Sequence, residues 1–344
     1  MNHKMNRRSF LQSSGAVAGL AASGTLVSVL PASAGEHDAT IRMQLGWLAS
    51  NGITGEVMAD ELGFFAEEGL SLEIIPGGPN VDGVASVASG ASNLGSLSSS
   101  PSLMLARAAG LPVKCIAAGY QRHPFTYFSL DRNPVRTPQD LIGKRVATQG
   151  TARILLRALL AHNGISEDDV EVSVMGADMA ALMNGQVDVV TGWSTNTSAL
   201  AILGEERVDL PLWDAGIQLY ANPYYTTDDV LAEHGDKVAG AIRAISRGWG
   251  AAQADPEAAV DALVSRYPNL DRDAEMAASP LVLGFSFNEN TAQGGWGIMT
   301  EANWQAQLDA YDNLDQFDSG APALGDVMTL DILNATADVR PMLG

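Results

Sequence analysis

The sequence contains a single cysteine, Cys115, among 344 residues. A disulfide framework is therefore excluded, and so is an iron site built from a cysteine cluster. Cys115 lies in the apolar run 111–118, where a small buried hydrophobe is the expected role rather than a reactive thiol. There are only five histidines: His3, His37, His123, His162 and His234. They make no H-E-x-x-H spacing, and no Gly-x-Ser-x-Gly elbow or P-loop occurs. These absences predict no metal, no cofactor and no catalytic residues.

Basic residues are scarce too. Lys and Arg number 20 against 40 Asp and Glu, which gives a formal net charge of −20. Nucleic acid and anionic membranes are poor partners for such a surface, because like charges repel. After the N-terminal segment no apolar run reaches the roughly 20 residues needed to span a bilayer. The remaining chain has ample core for two domains.

The N-terminus has the three parts of an export signal. Arg7-Arg8 precede an apolar stretch over 15–30, and Ala32-Ser33-Ala34 supply a small-x-small cleavage site. The paired arginines followed by Phe-Leu resemble the twin-arginine consensus; an ordinary secretory signal is the alternative. We expect residues 1–34 to be a signal peptide that is cleaved after Ala34, and the mature protein to be periplasmic. No cysteine lies near the cleavage site for a lipid anchor.

From residue 41 onward, short β-rich runs alternate with amphipathic segments, which is typical of an α/β fold with parallel strands. The predicted strands are 41–47, 71–75, 93–97, 113–118, 145–148, 170–175, 187–191, 209–212 and the strand-like 217–220. The proline-rich segment 133–138 indicates entry into a second lobe. We expect one lobe over 35–127 plus 225–344, with the helical tail covering it, and another over 128–224.

Five motifs follow one another in a fixed order between about residues 41 and 266. They are Leu-Gly-Trp at 45–47, the segment 59–70, in which a helix ends at Gly-Phe-Phe-Ala-Glu-Glu-Gly-Leu, Pro-Gly-Gly at 76–78, the segment 137–146 and the segment 182–188. In this order they resemble the solute-binding family that serves thiamine-pyrimidine, sulfonate, taurine and nitrate importers (SsuA/THI5-like). The resemblance implies a type II periplasmic-binding-protein fold with two crossings between lobes. It also implies a monomeric receptor, without catalytic activity, that delivers a small organic ligand to the membrane permease of an ABC importer.

Ligands of open α/β sheets bind beyond the carboxyl ends of the strands, where helix N-termini converge. Four loops meet this description, two in each lobe: 47–54, 96–100, 149–151 and 192–196. The expected ligand-binding residues are Trp47, Asn51, Thr54, Ser98, Ser99, Tyr120, Tyr127, Gln149, Thr151, Arg153, Trp193, Ser194, Asn196 and Tyr220. Trp47 and Trp193 should flank the ligand from opposite lobes, since core packing does not require an indole in such a loop.

Several alternatives stay open at this point. The serines 98–100 suit a capped turn as well as a ligand contact, and the tyrosines near the crossings suit hinge packing. Arg153 suits an anionic ligand group or a surface acid. With only Arg153 and Arg122 as candidate cations, an aromatic heterocycle of the thiamine-precursor type is favoured over a sulfonate, taurine or nitrate. An exported enzyme and a sensory module are the rival classes on the same fold.

Overall fold

A computed structural model describes residues 39–78, 81–174 and 178–344, and the chain from Ala39 to Gly344 forms one compact unit. The predicted signal peptide and its cleavage site lie outside the described residues. In this part of the chain the strands are β1 (Thr40–Leu45), β2 (Ser71–Ile75), β3 (Leu94–Ser96), β4 (Val113–Tyr120), β5 (Phe125–Leu130), β6 (Arg145–Thr148), β7 (Glu171–Val174), β8 (Val189–Trp193), β9 (Arg207–Pro211) and β10 (Ala221–Thr227).

The strands form two five-stranded mixed sheets. The first has the order β2-β1-β3-β10-β4 and the second the order β7-β6-β8-β5-β9. In each sheet one strand runs antiparallel to its neighbours: β10 in the first and β5 in the second. Each of these strands is the one that the chain enters directly after crossing from the other sheet. The α/β class with parallel-rich sheets and two crossings is thereby confirmed.

The helices fill the connections and the C-terminal tail. Those in the described residues are α1 (Thr54–Glu61), α2 (Phe64–Glu67), α3 (Gly83–Ala88), α4 (Ser100–Ala108), α5 (Arg153–His162), α6 (Ala180–Met183), α7 (Thr197–Leu200), α8 (Asp228–Ala254), α9 (Pro256–Arg266), α10 (Arg272–Ser286), α11 (Glu289–Gly294), α12 (Glu301–Asp312), α13 (Leu324–Val327) and α14 (Asp331–Ala335). Helix α5 ends before Gly164, which adopts a left-handed φ of 67°, as its Asn-Gly stop signal predicts.

The strand predicted over 217–220 is wrong, because the strand begins at Ala221. Asn222 has a φ of 46°, and Pro223 lies inside the strand. A register shift follows between Tyr224 and Tyr225. Proline and local irregularity both mask a strand in the sequence.

The tail packs on the first sheet as expected, and one of its helices also reaches the second. Helix α8 does pack on α1, but α10 contacts both the turn at Asn51–Ile53 and helix α7, which follows β8 of the second sheet. The Thr197 hydroxyl donates a hydrogen bond to the Ala274 carbonyl at 2.9 Å. The chain crosses between sheets at residues 121–124 and 212–220, while the lobe boundaries near 127 and 224 stay a prediction.

Candidate functional site

Two of the four expected loops meet in the structure, one from each sheet. The side-chain amide of Asn51, after β1, donates to the Thr195 carbonyl at 3.1 Å, and Thr195 follows β8. The same nitrogen donates to Oε2 of Glu275 in α10 at 2.9 Å. An amide nitrogen has two hydrogens, so both are used. Asn51 therefore joins the loops of the two sheets to the tail.

An aromatic cluster lies at the first crossing. Tyr120 ends β4 and Trp193 ends β8, and their ring centroids are 5.9 Å apart at an angle of 47°. His123, in the crossing itself, meets Trp193 edge-on at 5.8 Å. Tyr120 also contacts Trp249 and Phe285 at about 6 Å. Trp193 was expected in a loop; it is the last residue of a strand and is half-buried. Its ring neighbours come from the end of β4 and from the crossing.

Several polar side-chain atoms of this cluster and of other predicted site residues are buried without a partner within the described residues. They include Oη of Tyr120, Oη of Tyr127, Oγ of Ser99 and Nε2 of His123. Buried polar groups in folded proteins are normally hydrogen-bonded, and leaving one unpaired costs about 1–3 kcal/mol. A bound ligand or water is the ordinary way to satisfy such atoms. Three of the four belong to residues that the sequence predicts as ligand contacts.

Two carboxyl groups lie close to Tyr120. Glu56 is fully buried, and Oε1 accepts a hydrogen bond from Tyr224 Oη at 2.7 Å. Burial raises the pKa of Glu56 to about 7, although the Tyr224 bond opposes this. Burial also raises the pKa of Glu275, and the bond from Asn51 lowers it. Burial raises the pKa of the Tyr120 phenol, and the two carboxyl groups raise it further. The surroundings of Tyr120 are therefore acidic.

The remaining predicted residues of the first lobe differ in their exposure. Trp47 is 36% exposed, and its carbonyl accepts a hydrogen bond from the Gly77 N–H at 3.1 Å. Thr54 is buried and donates to the Asn51 carbonyl. Ser98 is half-buried, whereas Ser99 is buried and its side chain makes no cap for α4. The capped-turn alternative therefore does not account for Ser99.

In the second lobe the predicted residues mostly have partners within the protein. Gln149 donates to the Thr191 carbonyl at 3.1 Å. Arg153 pairs with Glu167 at 2.5 Å, which agrees with the alternative that this arginine pairs with a surface acid. Thr151 is exposed.

Beyond β8, two further predicted residues secure the connection to α7. The Ser194 N–H donates to the Pro124 carbonyl at 3.0 Å, which ties the end of β8 to the crossing. Asn196 is exposed and caps α7 through the Ala199 N–H.

The two other tyrosines pack inside the protein. Tyr127 is fully buried in β5 and contacts Phe125 at 5.6 Å. Tyr220 accepts a hydrogen bond from the Thr300 N–H at 3.2 Å, and its ring lies 6.0 Å from Trp304. Tyr220 thus packs against α12 of the tail, while Tyr127 keeps its unpaired hydroxyl.

The single thiol lies away from this cluster. Cys115 is fully buried in β4 and donates to the Ala117 carbonyl at 3.4 Å. Burial raises its pKa well above the usual range, so the thiol stays protonated. Over the described ranges no group of three or more His, Cys, Asp or Glu side chains is arranged to hold a metal ion. No described helix combines the length and apolar character that crossing a membrane requires.

Two mixed sheets joined by two crossings define a periplasmic-binding-protein fold. The alkanesulfonate-binding protein SsuA from Xanthomonas axonopodis pv. citri, solved with bound MOPS, has this fold. It matches with a TM-score of 0.63 and 19% identity over 85% of this chain and 99% of that chain. Residues 50–259 match the family described as NMT1/THI5 like. This is more than half of the chain, and the chain therefore belongs to that family.

Curated relatives in this family are named for the ligands they bind. The riboflavin-binding protein RibY of Chloroflexus aurantiacus is 30% identical over 213 residues, which are 60% of this chain and 61% of that relative. This chain thus spans less than two thirds of that relative's length. The formylaminopyrimidine-binding protein of Halalkalibacterium halodurans is 28% identical over 80% of this chain and 87% of that protein.

One relative is named as an enzyme. The 4-amino-5-hydroxymethyl-2-methylpyrimidine phosphate synthase of Legionella pneumophila subsp. pneumophila is 23% identical over 67% of this chain and 74% of that protein. The family therefore includes catalysts as well as binding proteins.

Proposed function

We propose that this protein is the extracytoplasmic solute-binding component of an ABC importer and binds a small aromatic heterocycle beside Trp193. One observation carries the proposal: an indole with Tyr120 and His123 on its sides lies where loops of both sheets meet, and buried polar atoms there have no partner within the described residues. Flat ligands are held by aromatic contacts and oriented by a few polar groups. The riboflavin- and pyrimidine-binding relatives support a heterocycle.

An oxyanion ligand fits this site less well. Arg153 is paired with Glu167, and Arg122 lies 3.6 Å from Asp214 and over the Trp213 ring. Neither arginine is therefore free to pair with a sulfonate or nitrate. Electrostatics therefore favours a neutral or cationic heterocycle over taurine, a sulfonate or nitrate.

We infer that the protein catalyses no reaction, and that it works as an exported periplasmic monomer after cleavage at Ala34, with a membrane permease as partner. The buried Cys115 offers no nucleophile, which supports binding without turnover. A sensory module would bind and close in the same way. Association with a permease rather than a membrane kinase distinguishes the two roles.

The test is a ligand panel of riboflavin, formylaminopyrimidine, taurine, an alkanesulfonate and nitrate, read by thermal shift and calorimetric titration. A ligand at about 100 times its Kd should add roughly 2.7 kcal/mol to the free energy of unfolding. We expect heterocycles to stabilise the protein and to be recovered chemically unchanged by mass spectrometry. Stabilisation by sulfonates alone would contradict the heterocycle, and conversion of the ligand would reveal an enzyme.

A further inference from the structure

His123 has a defined protonation state in the structure. Its Nδ1 accepts a hydrogen bond from the Phe125 N–H at 3.1 Å, so this nitrogen carries a lone pair. The side chain is 2% exposed, and burial lowers its pKa to about 3. The imidazole is therefore neutral at physiological pH, and its proton resides on Nε2. Nε2–H is thus a hydrogen-bond donor with a fixed position.

This donor is unused by the protein itself. Nε2 is buried and has no acceptor in the part of the chain that the structure describes. The imidazole lies edge-on to the Trp193 indole, with an angle of 72° between the rings. Tyr120 contacts the same indole, and its hydroxyl is also unpaired. Two buried groups able to donate therefore lie next to the same indole.

The loop after β1 lies next to the Tyr120 hydroxyl. A Cβ atom on Gly52 would lie 3.9 Å from the Tyr120 hydroxyl oxygen and 3.3 Å from Nδ2 of Asn222. The Asn222 amide in turn donates to the Gly52 carbonyl at 3.1 Å. The backbone of this loop thus lies close to the phenol, and the Gly52 carbonyl is already engaged with Asn222. The Tyr120 hydroxyl itself has no partner within the described residues.

We propose that His123 determines ligand specificity by donating a hydrogen bond from Nε2 to an acceptor atom, a carbonyl oxygen or ring nitrogen, of a heterocycle that lies against Trp193. This inference rests on the proposed binding function and adds a chemical requirement to it. A donor fixed by its own backbone contact rejects a ligand that presents an amino group at that point, because two donors would then face each other.

Two variants test the roles of the two ring nitrogens separately. In His123→Asn, the side-chain oxygen can replace Nδ1 as acceptor for the Phe125 N–H, but the Nε2 donor is lost. In His123→Gln, the amide nitrogen can replace Nε2 as donor, but the acceptor near the backbone is lost. His162→Asn is the matched control, because His162 is exposed on α5. Riboflavin is the first probe and formylaminopyrimidine the second, each in a calorimetric titration.

We expect His123→Asn to weaken binding of the probe by about 10-fold or more, because the ligand acceptor would then be buried without a donor. Its unliganded melting temperature should exceed that of His123→Gln, because both variants lose the imidazole ring but only His123→Asn keeps an acceptor for the Phe125 N–H. His123→Gln should retain most of the affinity and melt earlier, and His162→Asn should match the wild type in both measurements. Unchanged affinity in His123→Asn would overturn the inference.

The unliganded proteins give a readout that does not depend on any probe. A lower melting temperature in His123→Asn than in His123→Gln would mean that Nε2 is bonded within the protein, because both variants lose the ring, and it would overturn the inference even if no heterocycle binds. If the wild type binds neither probe while the melting temperatures follow the expected order, the proposed ligand class fails and the ring's donor assignment stands.

Discussion

A Glu56→Gln exchange should stabilise the protein at about pH 8 and leave its stability nearly unchanged at about pH 4. Glu56 is fully buried, and its Oε1 accepts a hydrogen bond from Tyr224. Burial raises its pKa from the usual 4.5 to about 7. Since one pKa unit corresponds to roughly 1.4 kcal/mol, ionised Glu56 costs the folded state about 3 kcal/mol. Gln keeps the acceptor for Tyr224 and carries no charge.

The direction of this effect follows from proton binding. Between about pH 4.5 and 7 the folded protein retains the Glu56 proton while the unfolded chain releases it. The free energy of unfolding therefore falls as the pH rises through this range, and the cost is complete above about pH 7. Urea unfolding of wild type and Glu56→Gln at several pH values measures the difference in their free energies of unfolding. Contributions from groups that titrate alike in both proteins cancel in this difference.

Glu61→Gln serves as the control, because Glu61 is exposed on the same helix. Its stability should differ little from that of the wild type across the range. A Glu56→Gln protein that is less stable than the wild type at about pH 8 would refute the argument, since the carboxylate would then have a favourable partner in the folded state. A difference that does not vary with pH would refute it equally.

Two further substitutions test how the site is held together. Asn51→Ala removes the bonds to Thr195 and Glu275, so it should lower the free energy of unfolding by about 1–3 kcal/mol and increase the radius of gyration of the unliganded protein in small-angle scattering. Unchanged scattering and unfolding would show that these bonds do not hold the loops together. Arg153→Ala should leave riboflavin affinity within about twofold in a calorimetric titration, because the guanidinium is exposed and paired with Glu167; a tenfold loss would place Arg153 in the site.

The alternation of strands and helices was predictable because each segment carries its own local sequence signal. The parallel strands carry β-branched runs between turn signals, and the helices carry their caps. The two antiparallel strands were not predicted correctly. Phe125–Leu130 is buried along its whole length, so it shows no alternation of apolar and polar residues. In Ala221–Thr227, Pro223 and the bend at Asn222 conceal a strand that only long-range pairing stabilises.

The candidate site was predicted in part. Tyr120, Asn51 and Trp193 do come together, because loops beyond the carboxyl ends of strands from both sheets meet there. Glu56 and His123 were missed. Glu56 lies three residues after Ile53, on the face of α1 that the sequence marks as apolar, and this is the one signal that it would be buried. Nothing in the sequence indicates a ligand contact at His123, since its tautomer and unpaired nitrogen depend on the geometry of the crossing.

The central claim, that a heterocycle binds against Trp193, is tested most directly by calorimetric titration of riboflavin and formylaminopyrimidine into wild type and Trp193→Ala. Trp193 is half-buried against Tyr120 and His123, so some loss of unliganded stability is expected and is measured separately by thermal unfolding. We predict that the wild type binds at least one of the two heterocycles and that Trp193→Ala weakens this binding by about 1–3 kcal/mol, in the range of a lost interface anchor. Equal affinity in wild type and Trp193→Ala, with only an earlier melting temperature, would contradict the claim.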